Sequence, residues 1–231
     1  MMRPRTLARP AAAGALCLAM TGAGADTALA QTPESTDAPA AAAAAAAAKP
    51  RITVDRRKLD VRSGRRTAVR GRVAPATAGV TVSLERRRDG RWRPLDRDAT
   101  DRAGRYRLGE RLERVGSTKA RVRVAGGLGL LPGKRGLGRL EVYRHAHASW
   151  YGPGLYGNPL ACGGRLTTGT LGVAHKTLPC GTRVTIKRGR REIRVPVVDR
   201  GPFVGGREYD LTSATARRLG FSGVGTVLTT R

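Results

Sequence analysis

The chain has 231 residues, 44 Lys+Arg against 17 Asp+Glu, a formal net charge of +27, and 40% hydrophobic but only 4% aromatic residues. That length fits one or two domains, and the apolar share excludes global disorder. Three Cys exclude a disulfide-dense miniprotein and a four-Cys zinc site, and no apolar run reaches the roughly 18–20 residues of a membrane span.

Three His with so few Cys argue against a metal enzyme, so no metal and no cofactor is expected. Of the 44 cations 38 are Arg. Such a surface attracts polyanions, whether nucleic acid, anionic lipid or acidic wall polymers, but attraction is not function.

Residues 1–30 read as a secretory signal peptide. Arg3, Arg5 and Arg9 form a basic start, Ala11 to Met20 an apolar stretch too short to span a membrane, and Ala28-Leu29-Ala30 an A-x-A cleavage site. Cleavage would begin the mature chain at Gln31 and leave no transmembrane segment. Cys17 is preceded by Leu16 and Gly14, which does not fit a lipoprotein signal. Removing Cys17 with the signal leaves Cys162 and Cys180. An even pair in an oxidising compartment suggests one disulfide, the alternative being two free buried thiols. Residues 31–50, with nine consecutive Ala from Ala40 to Ala48, read as an Ala/Pro-rich linker.

Residues 51–125 read as β. Short alternating runs such as Thr67 to Val73, Val80 to Glu85 and Ala120 to Val124 are separated by Ala74-Pro75, Asp89-Gly90 and Ala103-Gly104. Five or more short strands with Arg outward predict a small antiparallel sandwich. The placement of turns and strands resembles bacterial immunoglobulin-like repeats. Residues 51–144 hold 27 Lys+Arg and 10 Asp+Glu but no His or Cys, so the segment reads as a spacer or adhesion module with Trp92 as a core or edge aromatic. Residues 126–144 are Gly-rich and are expected to form a loose hairpin or linker.

In residues 145–231, Val184 to Ile186 and Ile193 to Val198 alternate like strands around a basic turn, with Pro196 suited to an edge or bulge. Asp199 ends the second run at a Gly-Pro turn. Asp210 precedes a helix capped by Thr212 or Ser213 and stopped at Gly220. From spacing alone, Asp199 is a turn anchor accepting backbone N–H bonds and Asp210 a helix-end residue; both also lie where groove residues tend to sit. Trp150 and Tyr151 alternate faces on a strand, so one can pack inside while the other stacks on a ring.

The order Ala148-Ser149-Trp150-Tyr151-Gly152, Ala174-His175-Lys176-Thr177-Leu178-Pro179, Asp199-Arg200-Gly201-Pro202-Phe203 and Asp210-Leu211-Thr212 resembles the rare lipoprotein A (RlpA) family. The resemblance implies an all-β fold with a C-terminal six-stranded double-psi β-barrel, shared with expansins. It also implies lytic transglycosylase chemistry on the glycan strands of peptidoglycan, with peptide-free glycan preferred. In that reaction the muramic acid's own 6-hydroxyl attacks, a 1,6-anhydro product forms, and one Asp can serve as acid and then base. The resemblance implicates Asp210 and Asp199; Asp210 is favoured as general acid/base, with Asp199 as groove partner or structural anchor. It places His175, Trp150, Tyr151 and Arg200 at the substrate, and the paired Cys look like a disulfide linking two loops.

Two features depart from the family. The stretch Cys162 to Thr168 lacks the carboxylate many members carry, and no recognisable wall-binding repeat follows the barrel. A non-catalytic, expansin-like wall-binding protein is therefore the alternative. Nucleic-acid binding is disfavoured by the export signal and by the absence of a recognition helix. The expected partners are peptidoglycan glycan strands and, through charge, anionic wall polymers, in a secreted or wall-associated location.

Overall fold

The computed structural model describes residues 46–231, so the signal-peptide reading and most of the linker lie outside the described residues. In chain order the strands are β1 (Arg51–Lys58), β2 (Asp60–Arg62), β3 (Arg65–Arg66), β4 (Ala68–Ala74), β5 (Thr81–Arg88), β6 (Arg91–Ala99), β7 (Arg105–Leu108), β8 (Arg111–Leu112), β9 (Gly116–Val124), β10 (Gly133–Tyr151), β11 (Val173–His175), β12 (Arg183–Arg188), β13 (Arg191–Asp199), β14 (Tyr209–Thr212) and β15 (Gly225–Thr229). The single helix among the described residues is α1 (Ser213–Leu219), between β14 and β15.

The first half is a two-sheet sandwich. One sheet has the order β1-β4-β7; the other runs β10-β9-β5-β6, with β2 added to β10. Ile52, Val69, Val73, Tyr106 and Leu108 from the first sheet share a core with Val82, Leu84, Val122, Val124 and Leu140 from the second. Alternation produces this: in β4, Val69, Gly71 and Val73 are buried while Arg70 and Arg72 are exposed. Gly71 is required by packing. Its cross-strand partner Tyr106 sends its hydroxyl over it to Thr53 O at 2.7 Å, and a Cβ on Gly71 would lie 2.5 Å from that hydroxyl. Pro94 sits in β6, an edge strand whose pairing with β5 is bulged, where a missing N–H costs no ladder bond.

The second half is a closed ring of six strands. Around it run β10-β15-β12-β13-β11-β14, and β14 returns to pair with β10. The β10–β14 and β11–β13 pairings are parallel and the other four antiparallel. Ala146, Ala148, Val173, Val184, Ile186, Val195, Val197, Tyr209 and Leu211 fill the barrel. Helix α1 closes one part of it. Thr212 Oγ1 accepts from Thr215 N at the N-cap, and Gly220 ends the helix in the left-handed conformation.

The expected linker over residues 126–144 is corrected by the structure. Most of it is strand: β10 leads from the sandwich sheet into the barrel without a break, pairing with β9 over Gly133–Val142 and with β15 over Arg144–Ala148. The glycines reflect a bulge, not a spacer. The β9–β10 register slips between Gly136 and Gly138, Gly138 has φ 88°, and Leu137 is buried there. The hairpin turn occupies only the residues between β9 and β10. At the junction buried Glu141 accepts from Arg139 Nε at 3.1 Å and from Thr185 Oγ1 of β12 at 3.4 Å.

Candidate functional site

The site is one row of residues across four barrel strands. Ala174 on β11 is in register with Asp199 on β13 and with Asp210 on β14, and Asp210 is in register with Ser149 on β10. In-register neighbours share a face, so Asp199, Ala174, Asp210 and Ser149 point to the same side. Adjacent strands lie about 4.8 Å apart, which sets the two Asp Cα positions roughly 10 Å from each other with only a methyl group between.

Parity explains why the carboxylates face out of the barrel core. Tyr209 and Leu211 are buried in the core, so Asp210 between them takes the other face. Asp199 would follow Val197 inward were it not for an irregularity. Val173 pairs Val197 but Ala174 pairs Asp199, so one extra residue, Val198, turns Asp199 to the outer face. Val198 folds against Gly172, where any Cβ would lie 2.4 Å from Val198 Cγ2. Gly172 N in turn donates to Thr212 Oγ1 at 3.2 Å and Thr215 Oγ1 at 3.0 Å, tying this bulge to the start of α1.

The two Asp differ in environment. Asp199 Oδ1 accepts backbone N–H bonds from Ala161 and Arg200, both at 2.9 Å. Asp210 is half-buried, and its Oδ1 is buried without a hydrogen-bond partner. Burial pushes the Asp210 carboxyl pKa up; the Ser149 hydroxyl and Arg207 pull it down in part, and the Asp199 charge pushes it further up. The Ser149 contact is too loose to be a hydrogen bond, since Ser149 Oγ is also buried and unpartnered. Tyr151, two residues along on the same face, carries a third unpartnered buried oxygen. Burial and both carboxylates, Asp199 foremost, raise its phenol pKa. Three orphaned polar atoms on one face mark a place built to receive a polar partner. Trp150, on the alternate face, is 37% exposed.

His175 ends β11 opposite Tyr209, with ring centroids 5.0 Å apart. Its Nδ1 accepts N–H bonds from Thr177 at 3.1 Å and Leu178 at 3.0 Å, so the proton of the neutral ring sits on Nε2, 3.8 Å from Glu208 Oε1. The ring side chain is 12% exposed, and burial lowers its pKa, against the pull of Glu208. Glu208 also takes both ends of the Arg144 guanidinium, which raises the Arg144 pKa. Arg200, expected at the substrate, also makes structural contacts. It donates to His175 O at 3.3 Å and Leu178 O at 2.9 Å and reaches Cys180 Sγ at 3.2 Å, so it clamps the loop after β11.

Cys162 and Cys180 form a disulfide with Cα atoms 5.4 Å apart. Cys162 N donates to Val198 O and Gly181 N to Val197 O, so the bridge fastens loops on both sides of the segment that ends in Asp199. Among the described residues no group of His, Cys, Asp and Glu has the arrangement of a metal site.

The sequence reading did not find Glu208, Arg144, Ser149 or Ala174. The parity of Ser149 and Tyr151 was available from the i, i+2 rule; the Glu208–Arg144 pair spans 64 residues and has no local signal.

Residues 144–229 match the family model described as lytic transglycolase. The chain is 49% identical over 84 residues to a probable endolytic peptidoglycan transglycosylase RlpA of Synechocystis, covering 35% of this chain and 26% of that protein. It is 40% identical over 90 residues to its counterpart in Aquifex aeolicus, covering 38% and 40%. It is 42% identical over 81 residues to the endolytic peptidoglycan transglycosylase RlpA of Campylobacter jejuni, covering 34% and 30%. The chain thus spans about a quarter to two fifths of the length of these curated relatives. It is the six-stranded barrel, holding Asp199 and Asp210, that is similar to the RlpA transglycosylases.

Proposed function

We propose that the mature chain is exported and cleaves peptidoglycan glycan strands as a lytic transglycosylase, with Asp210 as general acid and then base. The observation that carries this reading is Asp210 itself: a half-buried carboxyl with an unpartnered oxygen and a raised pKa, one strand away from Ala174 and two from Asp199. A raised pKa keeps a proton available for the glycosidic oxygen. That proton goes to the leaving sugar as the C1–O bond breaks. The positive charge developing at C1 is met by Asp199. The Asp210 carboxylate then takes the proton of the substrate's C6 hydroxyl as this oxygen bonds to C1. Asp210 is reprotonated, no water is consumed, and the product is a 1,6-anhydro sugar.

Tyr151, His175 and Trp150 support this reading. Tyr151 lies on the same face as the two carboxylates with its hydroxyl unpartnered, free to meet a substrate oxygen. His175 Nδ1 accepts two backbone amides, and its Nε2 faces Glu208 Oε1 at 3.8 Å. Trp150, 37% exposed on the alternate face from the two Asp, is available for stacking on a ring outside that row. The names of the relatives support peptidoglycan as the substrate. The reading of residues 1–30 as a signal peptide supports a secreted or wall-associated location, and N-terminal sequencing of the mature protein should then start at Gln31.

One observation favours a second reading, a wall-binding protein without cleavage. Asp199 Oδ1 is occupied by two backbone amides, and the loop Cys162 to Thr168 carries no carboxylate, so a single free acid serves the site. Digestion of purified wall glycan, with and without stem peptides, by the mature chain separates the two. Mass spectrometry finds 1,6-anhydro ends if the barrel is a transglycosylase. Sedimentation of the protein with uncut glycan identifies the binding protein.

A further inference from the structure

The exposed face of the β1-β4-β7 sheet carries arginines in register with one another. Arg70 on β4 is paired with Arg107 on β7 and with Arg56 on β1, and Arg72 is paired with Arg105. All five are exposed, because Val69, Gly71, Val73, Tyr106 and Leu108 take the buried parity. Arg70, Arg72, Arg105 and Arg107 therefore stand on a grid of roughly 4.8 Å across the strands by roughly 6.7 Å along them. Directly opposed like charges destabilise a sheet. Asp55 lies 3.9 Å from Arg72, both more than half exposed, and along β7 Asp101 and Asp98 accept the backbone N–H groups of Arg105 and Arg107, so three carboxylates face five guanidinium groups. On the second sheet Arg121 is in register with Glu85 and bonded to it at 2.7 Å, while Arg86 is paired with Arg93 and Arg88 with Arg91 at the end of its edge hairpin.

We propose that this face is a docking surface for a linear phosphodiester polymer of the wall, such as poly(glycerol phosphate), which holds the enzyme beside its glycan. The partner rests on the wall location argued above; the surface itself does not. Guanidinium forks suit phosphate oxygens, stay charged at any working pH, and here repel one another until a chain of monoanions lies across them. A flexible polymer can follow two rows of a pleated sheet, which a stiff duplex cannot do without leaving contacts unmade.

The test compares the mature chain with two variants of equal charge loss. In one, Arg70, Arg72, Arg105 and Arg107 become Thr, which keeps strand propensity. In the other, the dispersed exposed residues Arg51, Arg62, Arg102 and Arg114 become Thr. Affinity for poly(glycerol phosphate) is measured between 50 and 300 mM salt, beside duplex DNA and polygalacturonate. The expected result is a loss of at least tenfold for the grid variant against less than threefold for the dispersed variant. The slope of log affinity against log salt should shrink by about 3, near 0.7 per lost contact. Relief of cross-strand repulsion should leave the melting temperature of the grid variant at or above the parent's. Equal losses in both variants, or tighter binding of DNA or polygalacturonate, overturn the proposal. Release of anhydro products from polymer-free glycan is assayed in parallel. The grid variant keeps the parent's level, and a parent that releases none refutes the barrel's proposed chemistry while leaving the binding result to stand.

Discussion

Asp199 and Asp210 are held on either side of Ala174, one by parallel pairing and one by antiparallel pairing, so that both carboxylates share the outer face of the barrel wall. The methyl of Ala174 is the floor between them, and it is 3% exposed. A larger side chain at this buried position should push the two acids apart. Ala174→Leu is expected to cut glycan cleavage at least tenfold, while Ala174→Gly should leave it within a few-fold; kcat/KM on peptide-free glycan checks this. Equal activity in Ala174→Leu would mean that cleavage does not depend on the spacing of the two acids.

The two acids should separate in stability as well as in activity. Asp199→Ala removes the acceptor of the Ala161 and Arg200 amides and should cost about 1–3 kcal/mol. Asp210→Asn removes a buried carboxyl that lacks a partner on one oxygen and should be neutral or stabilising at pH 7. The sign follows from the raised pKa of Asp210. The folded chain holds this proton better than the unfolded chain, so the contribution is full below the ordinary value of 3.8 and fades as pH rises through the folded value. The advantage of Asp210→Asn should therefore appear at neutral pH and vanish near pH 3.5 in paired thermal melts.

His175 gives the opposite dependence. Burial depresses its pKa, and its Nδ1 accepts two amides that a proton would displace. Stability from this group is present above the ordinary value of 6.5 and is lost as pH falls through the depressed folded value. His175→Gln should flatten the melting temperature between pH 7.5 and pH 5 and lower it at pH 7.5. An unchanged pH profile in the variant would assign the acid loss to other groups.

The disulfide closes an 18-residue separation and should contribute roughly 3 kcal/mol by constraining the unfolded chain. Reduction, or paired Cys→Ser changes at Cys162 and Cys180, should lower the melting temperature by roughly 6–12 °C. Cleavage should weaken as well, because Ala161, beside Cys162, donates to Asp199. Full activity after reduction would show that the bridge acts on stability alone.

Much of the barrel is legible in the sequence because its signals are local. Alternation marks β12 and β13, the Thr212 cap and Gly220 stop mark α1, and the spaced motifs name Asp199, His175 and Asp210. What escapes is non-local or disguised. Gly133, Gly136 and Gly138 hide a strand, because the bulge they make possible has the composition of a linker. Arg200 follows Asp199, and nothing in the sequence shows that its guanidinium also clamps the loop after β11. Glu208 becomes a partner of His175 only when β14 and β11 are paired. The arginine grid is invisible until register places Arg70 against Arg107.

β10 has a practical consequence. A fragment cut at His145 severs this strand and removes Glu141 from Thr185. Such a fragment should melt at least 5 °C below the barrel in the mature chain. Equal melting would show that the sandwich half of β10 adds nothing to the barrel.

The most direct test of the central assignment is the rate of 1,6-anhydro product release from peptide-free glycan by the mature chain, Asp210→Asn and Asp199→Asn, across pH 4 to 8. Asp210→Asn should lose at least about 100-fold, the size of a general acid–base contribution. The loss should come with no drop in melting temperature, and Asp199→Asn should retain measurable turnover. Product release by Asp210→Asn at the parent's rate would contradict the account and move the acid to another group of the same row.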